Sequence, residues 1–257
     1  MTDATRSWRW QGWRGALAPL ALVGLWLALV DTGLLQSSLL VPLHVILLAP
    51  WADGHGQQIW PALAASLARL AAGLVLGSVA GIALGVVLGL ARPARRAISP
   101  TLHGLRQIAL FAWIPLLTAW FGNGELAKVL FIALGAFFPV YLNTEQGIRD
   151  IPPTYLEVAT VLRLSAWQRM RHLLLPAALP AVVVGLEMAL LIAWISTVGA
   201  EYALGTGRGI GAFLVASREQ FRMDLVLTGV LVLAVVGYIL SALSKPLLRR
   251  LTPWRTS

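Results

Sequence analysis

Residues 66–90 read SLARLAAGLVLGSVAGIALGVVLGL and contain one charged side chain, that of Arg69. The hydrocarbon core of a bilayer is about 30 Å thick, and a helix of about 20 apolar residues crosses it. Glycines recur in this stretch at every fourth position, on one helix face, where they let a second helix backbone approach closely. They are Gly73, Gly77, Gly81, Gly85 and Gly89. The stretch therefore predicts a membrane-spanning helix that packs tightly against another helix.

Apolar runs of similar length recur along the chain. Together with residues 66–91, they are residues 16–35, 101–121, 126–145, 174–199 and 223–244. Only 12% of the residues are charged and 58% are hydrophobic, whereas about a quarter of the residues in a soluble domain are charged. The sequence therefore predicts an all-α, polytopic membrane protein with about six transmembrane helices. Because no convincing cleavage site follows the run at 16–35, we expect it to be retained as the first of them.

The basic residues predict the orientation, because Lys and Arg in short loops are retained on the cytoplasmic side. If the N-terminus is cytoplasmic, most of the 20 basic residues fall in cytoplasmic segments and only Arg208, Arg218 and Arg222 fall in outer loops. We therefore expect both termini, residues 1–15 and 246–257, to be cytoplasmic tails. Residues 36–60 are broken by prolines, and we interpret them as an outer loop with one short interfacial helix.

Composition also argues against several function classes. The net charge of +9 comes without a compact basic and aromatic patch, so we expect no nucleic-acid partner. There is no cysteine, and the four histidines are scattered, so we expect no metal site. A phosphate-binding loop of the form GxxxxGK[ST] is missing from the sequence, so ATP binding would belong to another protein.

Residues 146–172, QGIRDIPPTYLEVATVLRLSAWQRMRH, are too polar to cross a bilayer and too long for a turn. Pro152 and Pro153 predict a helix start, with Thr154 and Glu157 as a capping box. The helix would run to about Leu164, with an apolar stripe on one side. The stripe consists of Tyr155, Val158, Ala159 and Leu162. Such a helix either lies on anionic lipid headgroups or docks another protein, and both interpretations stay open.

The same segment carries a resemblance to a known family. Glu157, Val158 and Ala159, with Pro176 nineteen residues after Glu157, resemble the EAA loop of ATP-binding cassette (ABC) importer permeases, which is their coupling helix. The consensus has alanine at the second position and a glycine further on, where this chain has Val158 and Arg163.

A longer motif extends the resemblance. Residues 105–148, LRQIALFAWIPLLTAWFGNGELAKVLFIALGAFFPVYLNTEQGI, are similar to the core of permeases in the nitrate, taurine and aliphatic sulfonate branch, with Ala109 in place of a usual proline. Residues 66–90, LPAALPAVVVGLEMAL at 175–190 and GIG at 209–211 also resemble this branch. The resemblance covers about residues 60–245 and is closest to the aliphatic sulfonate permeases.

The resemblance implies a type I ABC importer permease fold in a bacterial inner membrane, with a coupling helix at about residues 153–165. Two copies would form the pathway, two cytoplasmic ATPase subunits would bind ATP and Mg²⁺, and a periplasmic binding protein would deliver the solute. This chain would hold no cofactor and would not be an enzyme. The residues implied in coupling are Tyr155, Glu157, Val158, Ala159, Thr160, Leu162, Arg163 and Pro176.

Polar, aromatic and proline residues within the spans are candidates for the translocation pathway. They are Trp113, Pro115, Trp120, Pro139, Asn143, Glu187, Trp194 and Glu201. Pro115 and Pro139 predict bends near a gate. Glu187 would repel an anionic solute unless it is paired, for instance with Arg106 or Arg69, and Glu201 is either a pathway residue or an interfacial one. For the three tryptophans, plain helix packing is the alternative.

These features favour import of a small organic anion, an aliphatic sulfonate or taurine, with nitrate or another small solute as the alternative. A stand-alone secondary transporter is a rival from a different class, but it would often show duplicated halves. No such duplication occurs in the sequence.

Overall fold

The computed structural model of the protein describes residues 21, 24, 26–28, 41–205 and 207–249. The predicted tail at 1–15 lies outside these residues, as do most of the predicted helix at 16–35 and most of the tail at 246–257. Every regular element within the described ranges is a helix. This confirms the all-α prediction.

The elements follow one another with short connections. They are α1 (Leu43–Ala52), α2 (Gly54–Gln57), α3 (Ile59–Leu90), α4 (Arg92–Gln107), a 3₁₀ turn (Leu110–Trp113), α5 (Ile114–Phe121), α6 (Glu125–Arg149), α7 (Pro153–Val161), α8 (Ala166–Arg169), a π-helical turn (Met170–Leu174), α9 (Leu175–Leu204), α10 (Ile210–Glu219) and α11 (Met223–Arg249).

Four helices in the described part of the chain are long and apolar enough to cross a membrane. They are Gly54–Leu90, Glu125–Arg149, Ala166–Leu204 and Met223–Ser244. The first joins α2 to α3, and the third joins α8 and the π turn to α9. They correspond to the runs predicted at 66–91, 126–145, 174–199 and 223–244, which confirms those transmembrane helices.

The run predicted at 101–121 is a bent pair of helices in the structure. α4 and the segment Leu110–Phe121 meet at an angle of 99°. The break lies at Ile108 and Ala109, whose backbones have φ −70° and ψ 125° and φ −55° and ψ 132°. Pro115 was expected to bend this span, but it lies in the first turn of α5, where its missing N–H costs no helical hydrogen bond. The chain therefore bends before the proline.

α6 lies at the centre, between α3 and α9. Leu70, Ile132, Val140 and Ala189 are part of the buried cluster where the three helices meet. The glycine face of α3 packs against α6, as predicted from its spacing. A Cβ added at Gly77 would lie only 2.3 Å from the backbone oxygen of Ala133. Only glycine allows the two backbones to approach this closely.

The segment predicted to be an outer loop contains α1, which is too short to cross a membrane. It packs against α11, where the Thr228 hydroxyl donates to the carbonyl of Ile46 at 2.7 Å. Asp53, just after α1, accepts a hydrogen bond from Arg222 at 2.9 Å. Pro61 does not interrupt α3, because it lies in the first turn, where a missing N–H costs no helical hydrogen bond.

Candidate functional site

α7 is a short helix with most of its apolar side chains facing away from the rest of the chain. Of the predicted stripe, Ala159 is buried, whereas Tyr155, Val158 and Leu162 are more than half exposed. Val161, which was not part of the predicted stripe, is 82% exposed. We call the exposed side chains of Tyr155, Val158, Val161 and Leu162 the coupling surface. An exposed apolar patch of this kind marks a contact site for a protein or a membrane.

The predicted capping box at Thr154 is wrong. The helix begins at Pro153 with Pro152 as its N-cap, and no side chain caps it. Thr154 is already inside the first turn, so its hydroxyl cannot serve the N-cap position. The capping box of this segment is instead at α8, where Ser165 and Gln168 bond each other's backbone N–H groups.

α7 ends at Val161, earlier than the predicted Leu164, and it ends in a Schellman motif. The N–H of Leu164 donates to the carbonyl of Ala159 at 3.0 Å, and the N–H of Arg163 donates to that of Thr160 at 3.0 Å. The motif places Arg163 at φ 48°, a left-handed conformation that favours glycine. The EAA-loop consensus has glycine where this chain has Arg163, and glycine adopts this conformation without steric cost.

Pro176 lies in the first turn of α9, but helical backbone already begins at Ala166 and reaches it through the π turn. Proline has no N–H to continue an i→i−4 ladder, which is consistent with a change of hydrogen-bond register just before it. α8, the π turn and α9 therefore form one continuous helix of 39 residues, which begins close to the end of α7.

A cavity of about 550 Å³ lies between α4, the 3₁₀ turn, α6 and α9. Three predicted pathway residues, Trp113, Pro139 and Asn143, line it. Most of its wall is apolar, with Leu110, Phe138, Met188 and Ile192 among the lining residues. We call this space the pathway cavity.

Arg106 brings a positive charge to the pathway cavity. It lies in the last turn of α4, just before the 99° bend, and is exposed. Sequence reasoning did not place Arg106 beside the predicted pathway residues and considered it only as a partner of Glu187. A signal was present, because Arg106 is a basic residue within a run predicted to cross the membrane.

The other predicted pathway residues lie elsewhere. Trp120 is 65% exposed and contacts the edge of Phe121. Trp194 packs against the buried cluster of α3, α6 and α9, and its ring approaches Gly237 of α11. Glu187 is half-buried, and no basic group among the described residues lies within ion-pair distance of it. The expected pairing of Glu187 with Arg106 or Arg69 is therefore absent from the described structure.

Glu201 is completely buried, so its side chain faces other parts of the protein and not lipid headgroups or water. Its carboxylate accepts hydrogen bonds from Ser66 at 2.8 Å, from Arg69 Nη1 at 2.6 Å and from the Gly211 N–H at 3.0 Å. Arg69 also pairs with Glu125, its Nη2 lying 2.9 Å from Oε1. We call Ser66, Arg69, Glu125 and Glu201 the outer polar cluster. It joins α3, α6, α9 and α10.

Comparison with known proteins establishes the family of the chain. Residues 73–255 match the family described as "Binding-protein-dependent transport system inner membrane component". The chain belongs to this family. A permease of this family crosses the membrane several times, which accounts for the membrane-length helices in the described part of the chain.

Relatives of the permease carry several substrate names. A putative aliphatic sulfonates transport permease of Bacillus subtilis (strain 168) is 34% identical over 96% of this chain and 89% of that protein. The taurine transport system permease of Escherichia coli (strain K12) is 33% identical over 76% of this chain and 71% of its own length. The nitrate import permease of Leptolyngbya laminosa is 31% identical over 93% of this chain and 87% of its own.

A solved structure shares the fold of the permease. A chain of the MetNI methionine ABC transporter in an inward-facing conformation superposes with a TM-score of 0.66 and is 22% identical. The match covers 76% of this chain and 97% of that one. The permease therefore has the fold of a type I ABC importer permease.

Proposed function

We propose that this permease forms the translocation pathway for a small organic anion, an aliphatic sulfonate or taurine. The pathway cavity is the observation that carries the proposal. It combines the Arg106 guanidinium with an apolar wall that includes Trp113, Phe138 and Met188. A guanidinium matches the oxygens of an oxyanion in a bidentate arrangement, and the apolar wall suits a short carbon chain. The sulfonate and taurine relatives support the same assignment.

The coupling surface supports the partner assignments. Its apolar side chains are exposed in the chain alone, and a hydrophobic knob of this kind suits a groove on a cytoplasmic ATPase. In the proposed assembly two permease copies bind two ATPase subunits, which hold ATP and Mg²⁺, and a periplasmic binding protein delivers the solute. Closure of the ATPase pair moves α7, and the helices that follow it transmit the movement to the pathway.

An uptake experiment tests the substrate assignment. Cells that express the complete transporter are supplied with labelled ethanesulfonate, and the permease carries Arg106→Gln. We expect uptake at limiting solute to fall about tenfold or more, because a hydrogen bond to a charged group contributes about 1.5–3 kcal/mol. Arg96→Gln is the matched control, since it removes the same charge from the same helix outside the pathway cavity. Equal uptake by both variants would contradict the role of Arg106.

The alternatives predict different behaviour in the same cells. A nitrate importer would be inhibited by nitrate and indifferent to the length of the alkyl chain, whereas the apolar wall predicts preference for alkanesulfonates over nitrate. A secondary transporter would retain uptake when no ATPase is present. The proposed assembly instead requires the ATPase to copurify with the permease, and we expect Glu157→Ala in α7 to stop uptake.

A further inference from the structure

A second cavity, of about 560 Å³, lies beside α7 at the end of the bundle opposite the outer polar cluster. It is formed where α3 ends, α4 begins, α6 ends, and α7 and α8 follow. We call it the basic cavity because four arginines line it. They are Arg92, Arg95, Arg149 and Arg169.

The charge of the basic cavity is poorly neutralised by the protein. None of its lining residues is acidic. Arg149 lies 3.6 Å from Glu145, but within the described residues no carboxylate is within ion-pair distance of Arg92, Arg95 or Arg169. Arg92 also opens α4, and a helix N-terminus adds partial positive charge. Arginines that line one cavity without neighbouring carboxylates favour the binding of an anion there.

The rest of the cavity wall is apolar. Leu90, Ile148, Ile151, Leu156 and Leu174 line it, and Ile148, Ile151 and Leu174 are each less than 9% exposed. A small inorganic ion has no use for this apolar surface. An amphiphile can place its anionic group among the arginines and its first carbon atoms against the aliphatic side chains.

We propose that the basic cavity binds the phosphate of an anionic phospholipid, such as phosphatidylglycerol, on the cytoplasmic side of the membrane. The positive-inside distribution places these arginines at the cytoplasmic interface, where anionic headgroups are available to basic pockets between membrane helices. Because Leu156 of α7 lines the cavity, the bound headgroup supports α7 from behind while the coupling surface faces outward. The proposal does not depend on the identity of the transported solute.

Binding can be measured on purified, delipidated full-length permease by native mass spectrometry and thermal unfolding. The probes are dioleoylphosphatidylglycerol, dioleoylphosphatidylethanolamine with the same acyl chains, and inorganic phosphate. We expect phosphatidylglycerol to bind at least about tenfold more tightly than the zwitterionic lipid and to raise the unfolding temperature. Arg95→Gln with Arg169→Gln should weaken phosphatidylglycerol binding by at least about tenfold.

The matched control is Arg96→Gln with Arg171→Gln, which removes the same charge from neighbouring positions that do not line the basic cavity. Equal loss of phosphatidylglycerol binding in both double variants would overturn the assignment, because it would show attraction to net charge alone. Phosphate that binds as tightly as the lipid would overturn the lipid as the occupant. If Arg95→Gln with Arg169→Gln does not fold, Arg92→Gln alone tests the site, because Arg92 is exposed. We expect it to weaken lipid binding severalfold, and unchanged binding would overturn the proposal.

Discussion

Arg163 holds a backbone conformation that costs a residue with a side chain about 1–2 kcal/mol relative to glycine. Its φ of 48° is required by the Schellman motif that ends α7. The side chain is exposed, so its removal loses little packing. Packing of the side chain therefore does not offset the cost of this backbone conformation.

Replacing this arginine tests the strain directly. We expect Arg163→Gly to raise the free energy of unfolding by up to about 1 kcal/mol, because glycine adopts the left-handed conformation without a steric cost. Thermal unfolding of the purified permease measures the change. Arg163→Ala is the control, since it removes the side chain and keeps the strain. An equal gain for alanine would show that charge, not conformation, is responsible.

Glu201 is the residue whose replacement should destabilise the permease most. Glu201→Gln would leave Arg69 with one carboxylate, that of Glu125, and loss of a buried ion-pair partner costs about 3–5 kcal/mol. Because Glu125 remains, we expect the lower end of this range. Glu125→Gln is the matched control, since the Glu125 side chain is 60% exposed and exposed pairs contribute about 1 kcal/mol or less. Equal shifts in the unfolding temperature of the two variants would contradict the expectation that Glu201 stabilises the permease more than Glu125 does.

The helices α3 and α6 pack closely against each other along the glycine face of α3. We expect Gly77→Ala to destabilise the permease by about 1–3 kcal/mol, because the new methyl group would overlap the backbone of Ala133 and must push the helices apart. Gly104→Ala in α4 is the control, since nothing lies within 4 Å of its added Cβ. That change should instead stabilise by about 0.5–1 kcal/mol. Unfolding of both variants in the same detergent measures the difference.

Elements that depend on local pattern were predictable from the sequence. The membrane-length helices follow from runs of apolar residues, and the packing face of α3 follows from glycine spacing. The break at Ile108 and Ala109 was not predictable in this way, because hydropathy averages over a window and cannot register two non-helical residues. The N-cap of α7 was predicted wrongly for a related reason. Thr154 and Glu157 fit a capping pattern, but the helix already begins at Pro153 and its N-cap is Pro152, two residues before Thr154.

At the scale of the whole molecule, the sites depend on contacts between distant parts of the chain. The outer polar cluster joins residues near positions 66–69, 125 and 201–211, and no local pattern shows that Glu201 is buried among them. The pathway cavity likewise collects Arg106, Trp113, Asn143 and Met188 from different elements. Sequence reasoning named Trp113, Pro139 and Asn143, which line this cavity, and also Trp120 and Trp194, which do not. Residue type alone could not separate the two groups, because the direction of a side chain depends on packing.

The link between the outer loop and α11 should respond to acid. The hydrogen bond from the Gly56 N–H, followed by that from Arg222, lowers the pKa of Asp53 below its ordinary value of 3.8. A lowered folded-state pKa means that this contribution to stability is complete above about pH 3.8 and is lost as the pH falls through the lower value. We expect the protection factors of the α1 amides, which are corrected for the intrinsic exchange rate at each pH, to fall over that acid range. In Asp53→Asn this fall should be absent, and its persistence would assign the effect to another group.

The continuous helix from Ala166 to Leu204 has a mechanical consequence. At 1.5 Å per residue, its 39 residues make a rod about 58 Å long. One end starts near the coupling surface, and the other carries Glu201. If the rod pivots near the first end, a tilt of about 5° displaces the far end by about 5 Å, since displacement scales with lever length. In the proposed transport cycle such a helix would work as a lever arm, and the hydrogen bonds of the outer polar cluster would either break or move with its far end.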